Sequence, residues 1–172
     1  MYPSQFSPVR VKAFQEERSV SSSQETQGVA IKIANVDCGS RHTAFVSRTG
    51  EVYTSGSGEV GQLGLGSKIS REYYPKRVAI TDAVMDVACG AFHTLFLTQR
   101  GHLYSTGGNS FGQLGHGHKK AVSTPARVRK LEGYFVQKIA AGHCSACITS
   151  SGELLVWGSG SFGEFLEPRY IA

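Results

Sequence analysis

No stretch of this chain approaches the roughly 20 consecutive apolar residues that a membrane-spanning helix needs, and the N-terminus lacks the apolar core of a secretion signal. Proline is scarce, with 5 in 172 residues, and there is a single tryptophan. Any sustained apolar period of three to four residues, the mark of an amphipathic helix, is also missing. What is plentiful is glycine, 21 in all. Short strands joined by tight turns are therefore expected, and the fold class to expect is all-β. Blocks of five or six like charges are lacking too. The formal net charge of +5 would suit an acidic partner, yet its carriers are scattered from Arg10 to Lys130, as on an ordinary solvated surface.

The constellations that carry chemistry are equally thin. Ser105 and Ser110 have no Asp and His at interpretable spacing, and there is no nucleophile elbow. Gly56-Ser-Gly-Glu-Val-Gly61 and Gly158-Ser-Gly-Ser-Phe-Gly163 satisfy the dinucleotide fingerprint G-x-G-x-x-G, but each leads into a strand-forming segment and not into the helix N-terminus that receives a pyrophosphate. Cys144-Ser-Ala-Cys147 is a C-x-x-C without a second pair at ligand spacing. In a strand its two thiols point to opposite faces. His116-Gly-His118 has no nearby carboxylate in sequence and reads as a solvated loop. No catalytic residue, cofactor or metal is expected. The four cysteines, Cys38, Cys89, Cys144 and Cys147, sit in apolar stretches and read as reduced thiols of a cytoplasmic or nuclear protein.

Against these absences stands a repeat. Val36-Asp-Cys-Gly-Ser-Arg-His42-Thr is answered by Val87-Ala-Cys-Gly-Ala-Phe-His93-Thr and then by Ile139-Ala-Ala-Gly-His-Cys144-Ser. A second anchor, Gly50-Glu-Val-Tyr, recurs as Gly101-His-Leu-Tyr and Gly152-Glu-Leu-Leu, and a third, Gly61-Gln-Leu-Gly64, recurs as Gly112-Gln-Leu-Gly115 and, degraded, as Gly163-Glu-Phe-Leu166. Pro75, Pro125 and Pro168 close the three units, and an orphan Pro8-Val-Arg-Val precedes them. The units are drawn at 31–82, 83–133 and 134–172, the last with a shortened exit loop. Residues 1–30 are read as an orphan strand with a solvent-exposed insertion, Gln15 to Gly28. Each unit reads as four short strands, in the second copy Ala83–Cys89, Thr94–Thr98, His102–Ser105 and Ala126–Arg129. Thr43-Ala-Phe-Val and Thr94-Leu-Phe-Leu, apolar on consecutive positions, suit strands covered on both faces. Gly50, Gly101 and Gly152 fall where a hairpin demands positive φ. A four-stranded meander at this period is a propeller blade.

The combined pattern, Cys-Gly-x-x-His-Thr, Gly-x-x-Tyr-x-x-Gly, Gly-Gln-Leu-Gly and Pro-x-x-Val, resembles the repeat of the regulator of chromosome condensation family over residues 31 to 172. The resemblance implies blades of a seven-bladed β-propeller. Three copies cannot close such a ring, so a longer chain or a partner is expected to supply the rest. It also implies one of two functions: a protein-interaction scaffold, or guanine nucleotide exchange on a small Ran-like GTPase, with chromatin as a further partner. In the exchange factor the repeat histidine lies on the GTPase-facing side, and an acidic residue just before it in one repeat matters. Here the corresponding pairs are Arg41–His42, Phe92–His93 and His143–Cys144, none of which holds an acid. Arg41, His42, Phe92, His93 and His143 are the candidate partner-binding residues. For the two blade-end histidines, partner contact and ordering of their own turn both stand as readings.

Overall fold

The computed structural model describes residues 31–160 and 163–171, and residues from Ile33 onward form one unit. Twelve strands build three antiparallel meanders. The first sheet is β1 (Ile33–Cys38), β2 (His42–Ser47), β3 (Val52–Ser57) and β4 (Arg71–Arg77). The second is β5 (Val84–Cys89), β6 (His93–Thr98), β7 (Leu103–Gly107) and β8 (Val122–Arg127). The third is β9 (Val136–Ala141), β10 (Cys144–Thr149), β11 (Leu154–Gly160) and β12 (Gly163–Tyr170). Registers recur with the repeat. Phe45 opposes Val36 and Tyr53, and Phe96 opposes Val87 and Tyr104. The orphan strand and the Gln15 to Gly28 insertion lie outside the described residues.

Successive sheets stack face to face, with β1 against β5 and β5 against β9. Between the first and second sheets lie Ala44, Val46, Val52, Val84, Val87 and Phe96. Between the second and third lie Leu95, Leu97, Leu103, Val136, Cys147, Leu155 and Trp157. All six residues of β6 are buried because this strand is covered on both faces, as its continuous apolar run requires. These two seams hold the stack together. Ion pairs such as Arg77–Glu51, 2.9 Å apart, sit on exposed surface and contribute at most about 1 kcal/mol each.

The fourth strand differs from the sequence reading. In the second copy the fourth strand starts at Val122, well before Ala126, and carries Pro125 inside it. Proline is tolerated because β8 is an edge strand whose N–H is not required by a neighbour, and Pro75 and Pro168 occupy edge strands β4 and β12 for the same reason. Trp157 is 1% exposed in the seam between the second and third sheets, its indole N–H donating to the Gln113 carbonyl at 2.8 Å. The hairpin glycines Gly50 and Gly101 adopt φ of 85° and 73°, as the turns demand.

Candidate partner-binding face

The loops joining first to second strands present the motif histidines, and their geometry explains the motif residue by residue. In each loop the glycine N–H closes the turn onto the carbonyl two or three residues on: Gly39 to His42, Gly90 to His93 and Gly142 to Cys144, each at 2.9 Å. The turn is thus ordered by backbone, and the histidine ring is free for another task. It folds over its own loop glycine, whose place no larger residue can take: a Cβ on Gly39 or Gly90 would overlap the His42 or His93 ring.

The ring reaches across the seam to the next sheet. His42 Nε2 lies 2.8 Å from Thr94 Oγ1, and Thr94 Oγ1 donates to the Gln62 carbonyl at 2.7 Å. The second junction repeats this: His93 Nε2 lies 2.8 Å from Ser145 Oγ, which donates to the Gln113 carbonyl at 2.7 Å. Since each hydroxyl spends its proton on the carbonyl, the imidazole must supply the other one, which assigns both histidines the Nε2–H tautomer. The Gln side chain in turn rigidifies the loop that offers the carbonyl: Gln62 Oε1 accepts from the Val60 N–H and Gln113 Oε1 from the Phe111 N–H. The histidine and the Gly-Gln-Leu-Gly turn of one repeat therefore grip the Thr or Ser hydroxyl of the next, and together they form one inter-sheet clamp.

Burial sets the protonation of these rings. His42 and His93 are 3% and 1% exposed, and desolvation lowers both pKa values to about 4, opposed at His42 by Asp37 and reinforced at His93 by His42. Both are neutral at physiological pH.

The residue before each histidine behaves oppositely. Its carbonyl turns inward, Arg41 accepting from Ser57 N–H and Phe92 from Gly108 N–H, both at 2.8 Å. Its side chain turns out. Arg41 and His143 are exposed, and Phe92 is 48% exposed. Of the five residues singled out in the sequence, the structure thus brings Arg41, Phe92 and His143 to the surface and puts His42 and His93 beneath it. Two further side chains join them on the surface. Val60 and Phe111, 39% and 51% exposed, stand at one repeat position, each two residues before the Gln of the turn. Gly108 lies between Phe92 and Val60, a Cβ there falling 3.4 and 3.5 Å from the two side chains. The signal that could have found Val60 and Phe111 is that recurrence in an otherwise polar, glycine-rich loop.

The tempting motifs resolve structurally. Gly56 takes its positive φ within β3, at the irregularity of its pairing with β4, and Gly61 takes its own in the loop that follows; the one helical segment among the described residues is a single 3-10 turn, Arg129–Leu131. Cys147 is buried in the second seam while Cys144 faces the other way and is partly exposed. No cluster of three or more metal-ligating side chains occurs among the described residues, and no described helix is long and apolar enough to cross a membrane.

Comparison with known proteins agrees with this geometry. A family model described as the regulator of chromosome condensation (RCC1) repeat matches residues 49–97 and 100–148, and a second model of the same description matches 33–62 and 84–113. The chain is 38% identical over 145 residues to the ultraviolet-B receptor UVR8 of Arabidopsis thaliana, covering 82% of this chain and 32% of the receptor. It is 37% identical over 134 residues to the human X-linked retinitis pigmentosa GTPase regulator, covering 76% of this chain and 13% of that protein. The chain therefore spans a third or less of these relatives. Among solved structures, human WBSCR16 superposes with a TM-score of 0.74 at 26% identity, over 87% of this chain and 42% of that one. Yeast RCC1 (Prp20), in a crystal structure with Kap60, superposes with a TM-score of 0.71 at 24% identity, over 81% and 37%.

Proposed function

The chain belongs to the regulator of chromosome condensation repeat family, and from that premise we propose that it is a non-enzymatic protein-interaction scaffold whose recognition surface is the loop face carrying Arg41, Phe92 and His143. One observation carries the reading. At every repeat the invariant-looking histidine is spent on holding sheets together or is replaced, while the preceding residue differs from copy to copy and points outward. A rigid scaffold with a variable residue at a repeated exposed position is how a binding surface is built without chemistry. The exposed Val60, Phe92 and Phe111 add the apolar contact that interfaces concentrate around their centres.

Guanine nucleotide exchange on a Ran-like GTPase is the second reading. It is favoured by the likeness to a protein named a GTPase regulator. It is disfavoured by the absence of a carboxylate at 41, 92 and 143.

The experiment is affinity capture with the full chain as bait, run beside a variant carrying Arg41→Ala, Phe92→Ala and His143→Ala, together with an assay of labelled GDP release from a Ran-like GTPase. The scaffold reading expects captured proteins that the triple variant loses, with no acceleration of GDP release. Accelerated release would replace it with the exchange reading. Identical capture by both baits would place recognition elsewhere.

A further inference from the structure

The second and third sheets each offer a seat that the Gly-Gln-Leu-Gly turn of the sheet before them fills. In the second, Thr94 Oγ1 donates to the Gln62 carbonyl at 2.7 Å, Thr106 Oγ1 shares its proton between the Val122 carbonyl at 2.7 Å and the Gly61 carbonyl at 3.0 Å, and Gly107 lies so near that a Cβ would stand 3.2 Å from Gln62 Cα. In the third, Ser145 Oγ and Trp157 Nε1 donate to the Gln113 carbonyl at 2.7 and 2.8 Å, and a Cβ on Gly158 would again stand 3.2 Å from Gln113 Cα. What the two seats share is a hydroxyl that donates to the carbonyl of the turn's Gln, a second donor from the neighbouring strand aimed at the turn's main chain, and a glycine that lets a backbone come close.

The repeat places Thr43, Ser55 and Gly56 of the first sheet at these same positions. Among the described residues they line an open groove of about 580 Å³. The Thr43 hydroxyl makes a 3.7 Å contact to Cys38 Sγ, where Thr94 and Ser145 at the same position donate to the carbonyl of a turn.

We propose that this groove is a receptor for a Gly-Gln-Leu-Gly turn carried by another polypeptide segment. The occupant's chemistry is read from the two filled seats of this molecule and does not depend on the loop-face reading above. The chain's own two such turns, 61–64 and 112–115, are already seated, and the third copy has Gly163-Glu-Phe-Leu166, within β12, in place of one. A second copy therefore has no unseated turn to give. The rim refines the ligand. Tyr73 stands at the position of Ser123, on whose backbone Gly61 sits; its ring is 80% exposed with the Arg71 guanidinium 6.0 Å from its centroid. Arg41 and Arg71 against Glu72 leave the rim net positive, which favours an acid just before the turn, the place Glu59 holds in the chain's own first turn.

The test is a head-to-tail cyclic peptide with the sequence of residues 57–66, titrated into the full-length 15N-labelled chain and followed by NMR. Cyclisation removes most of the ordering cost that a linear peptide would bear. Saturable shifts at Ser55, Gly56 and Ser57 are expected, weakened about 5- to 10-fold by Thr43→Val or Ser55→Ala in the protein. A peptide carrying Gly61→Val, which leaves the protein untouched, should not bind. Shifts that fail to saturate, that fall elsewhere, or that survive Thr43→Val, Ser55→Ala and the altered peptide alike would overturn the proposal.

Discussion

Gly101 and Gly152 occupy the same hairpin position with nearly the same backbone, φ 73° and 85°, yet they should not respond alike to a methyl group. Alanine at either site adopts a left-handed conformation that costs about 1 kcal/mol. At Gly152 that is the whole effect, because nothing lies within 4 Å of the added Cβ. At Gly101 the Cβ would stand 2.7 Å from Phe135 Cγ, and 2.8 and 3.0 Å from the two flanking ring carbons, about 1 Å inside normal carbon contact. The ring is 47% exposed and can swing outward, but its backbone is pinned: Ser150 N–H donates to the Phe135 carbonyl at 2.8 Å and Val136 N–H to the Gly101 carbonyl at 3.1 Å. An overpacking cost of about 1–2 kcal/mol therefore adds to the conformational one, giving about 2–3 kcal/mol for Gly101→Ala against about 1 for Gly152→Ala. Urea denaturation reads the difference as a shift in midpoint at constant slope. Phe135→Ala in the Gly101→Ala background should recover most of the excess, the coupling a double-mutant cycle isolates. Equal midpoints for the two glycine variants would refute the packing of the second hairpin against the third sheet.

Both buried histidines have folded-state pKa values depressed to about 4 from 6.5, so the unfolded chain binds protons first as pH falls. Their stability contribution is complete above about pH 6.5 and is lost at up to about 1.4 kcal/mol per pH unit per histidine down to about pH 4; the urea midpoint at pH 5 should fall well below that at pH 7, and His93→Gln should flatten the dependence. Thr94→Val strands both the His42 N–H and the Gln62 carbonyl, and should destabilise by about 2–3 kcal/mol in the same assay, where Thr43→Val costs under about 1. Cys89 and Cys147 are buried with thiols pushed up to about 12 by desolvation, so a thiol reagent should label exposed Cys38 in the native chain and reach those two only on unfolding; labelling of Cys147 at the rate of Cys38 would contradict the second seam.

The fold was legible where its constraints are local. Positive φ at Gly50 and Gly101 and the continuous apolar run of β6 are properties of a few adjacent residues, and their recurrence made them readable. Pro125 misdirected the start of β8 because a proline argues against a strand unless the strand is known to be an edge, and edges are defined by the rest of the sheet. The role of His42 was hidden for a stronger reason. Its partner, Thr94, is 52 residues away, and each motif looks complete within its own copy. Of the two roles sequence left open for the ring, turn ordering belongs to the Gly39 backbone; the clamp to the next sheet is a third that only the stacked arrangement reveals. The third copy was partly readable in retrospect. Thr54 and Ser105 pin their own exit loops by donating to the Leu63 and Leu114 carbonyls at 2.7 and 2.8 Å, and Val156, at the same position, has no hydroxyl and no such loop to hold.

The division of labour between a buried histidine that clamps sheets and an exposed neighbour that is free for recognition can be tested on the rings themselves. Long-range 1H–15N correlation spectra of the folded chain, recorded down to about pH 5.5, report tautomer and charge for each imidazole. His42 and His93 should both appear as neutral rings carrying the proton on Nε2 throughout that range. Either ring titrating between about pH 6 and 7, or holding its proton on Nδ1, would show that the clamp is not formed and that the histidine is available to a partner after all.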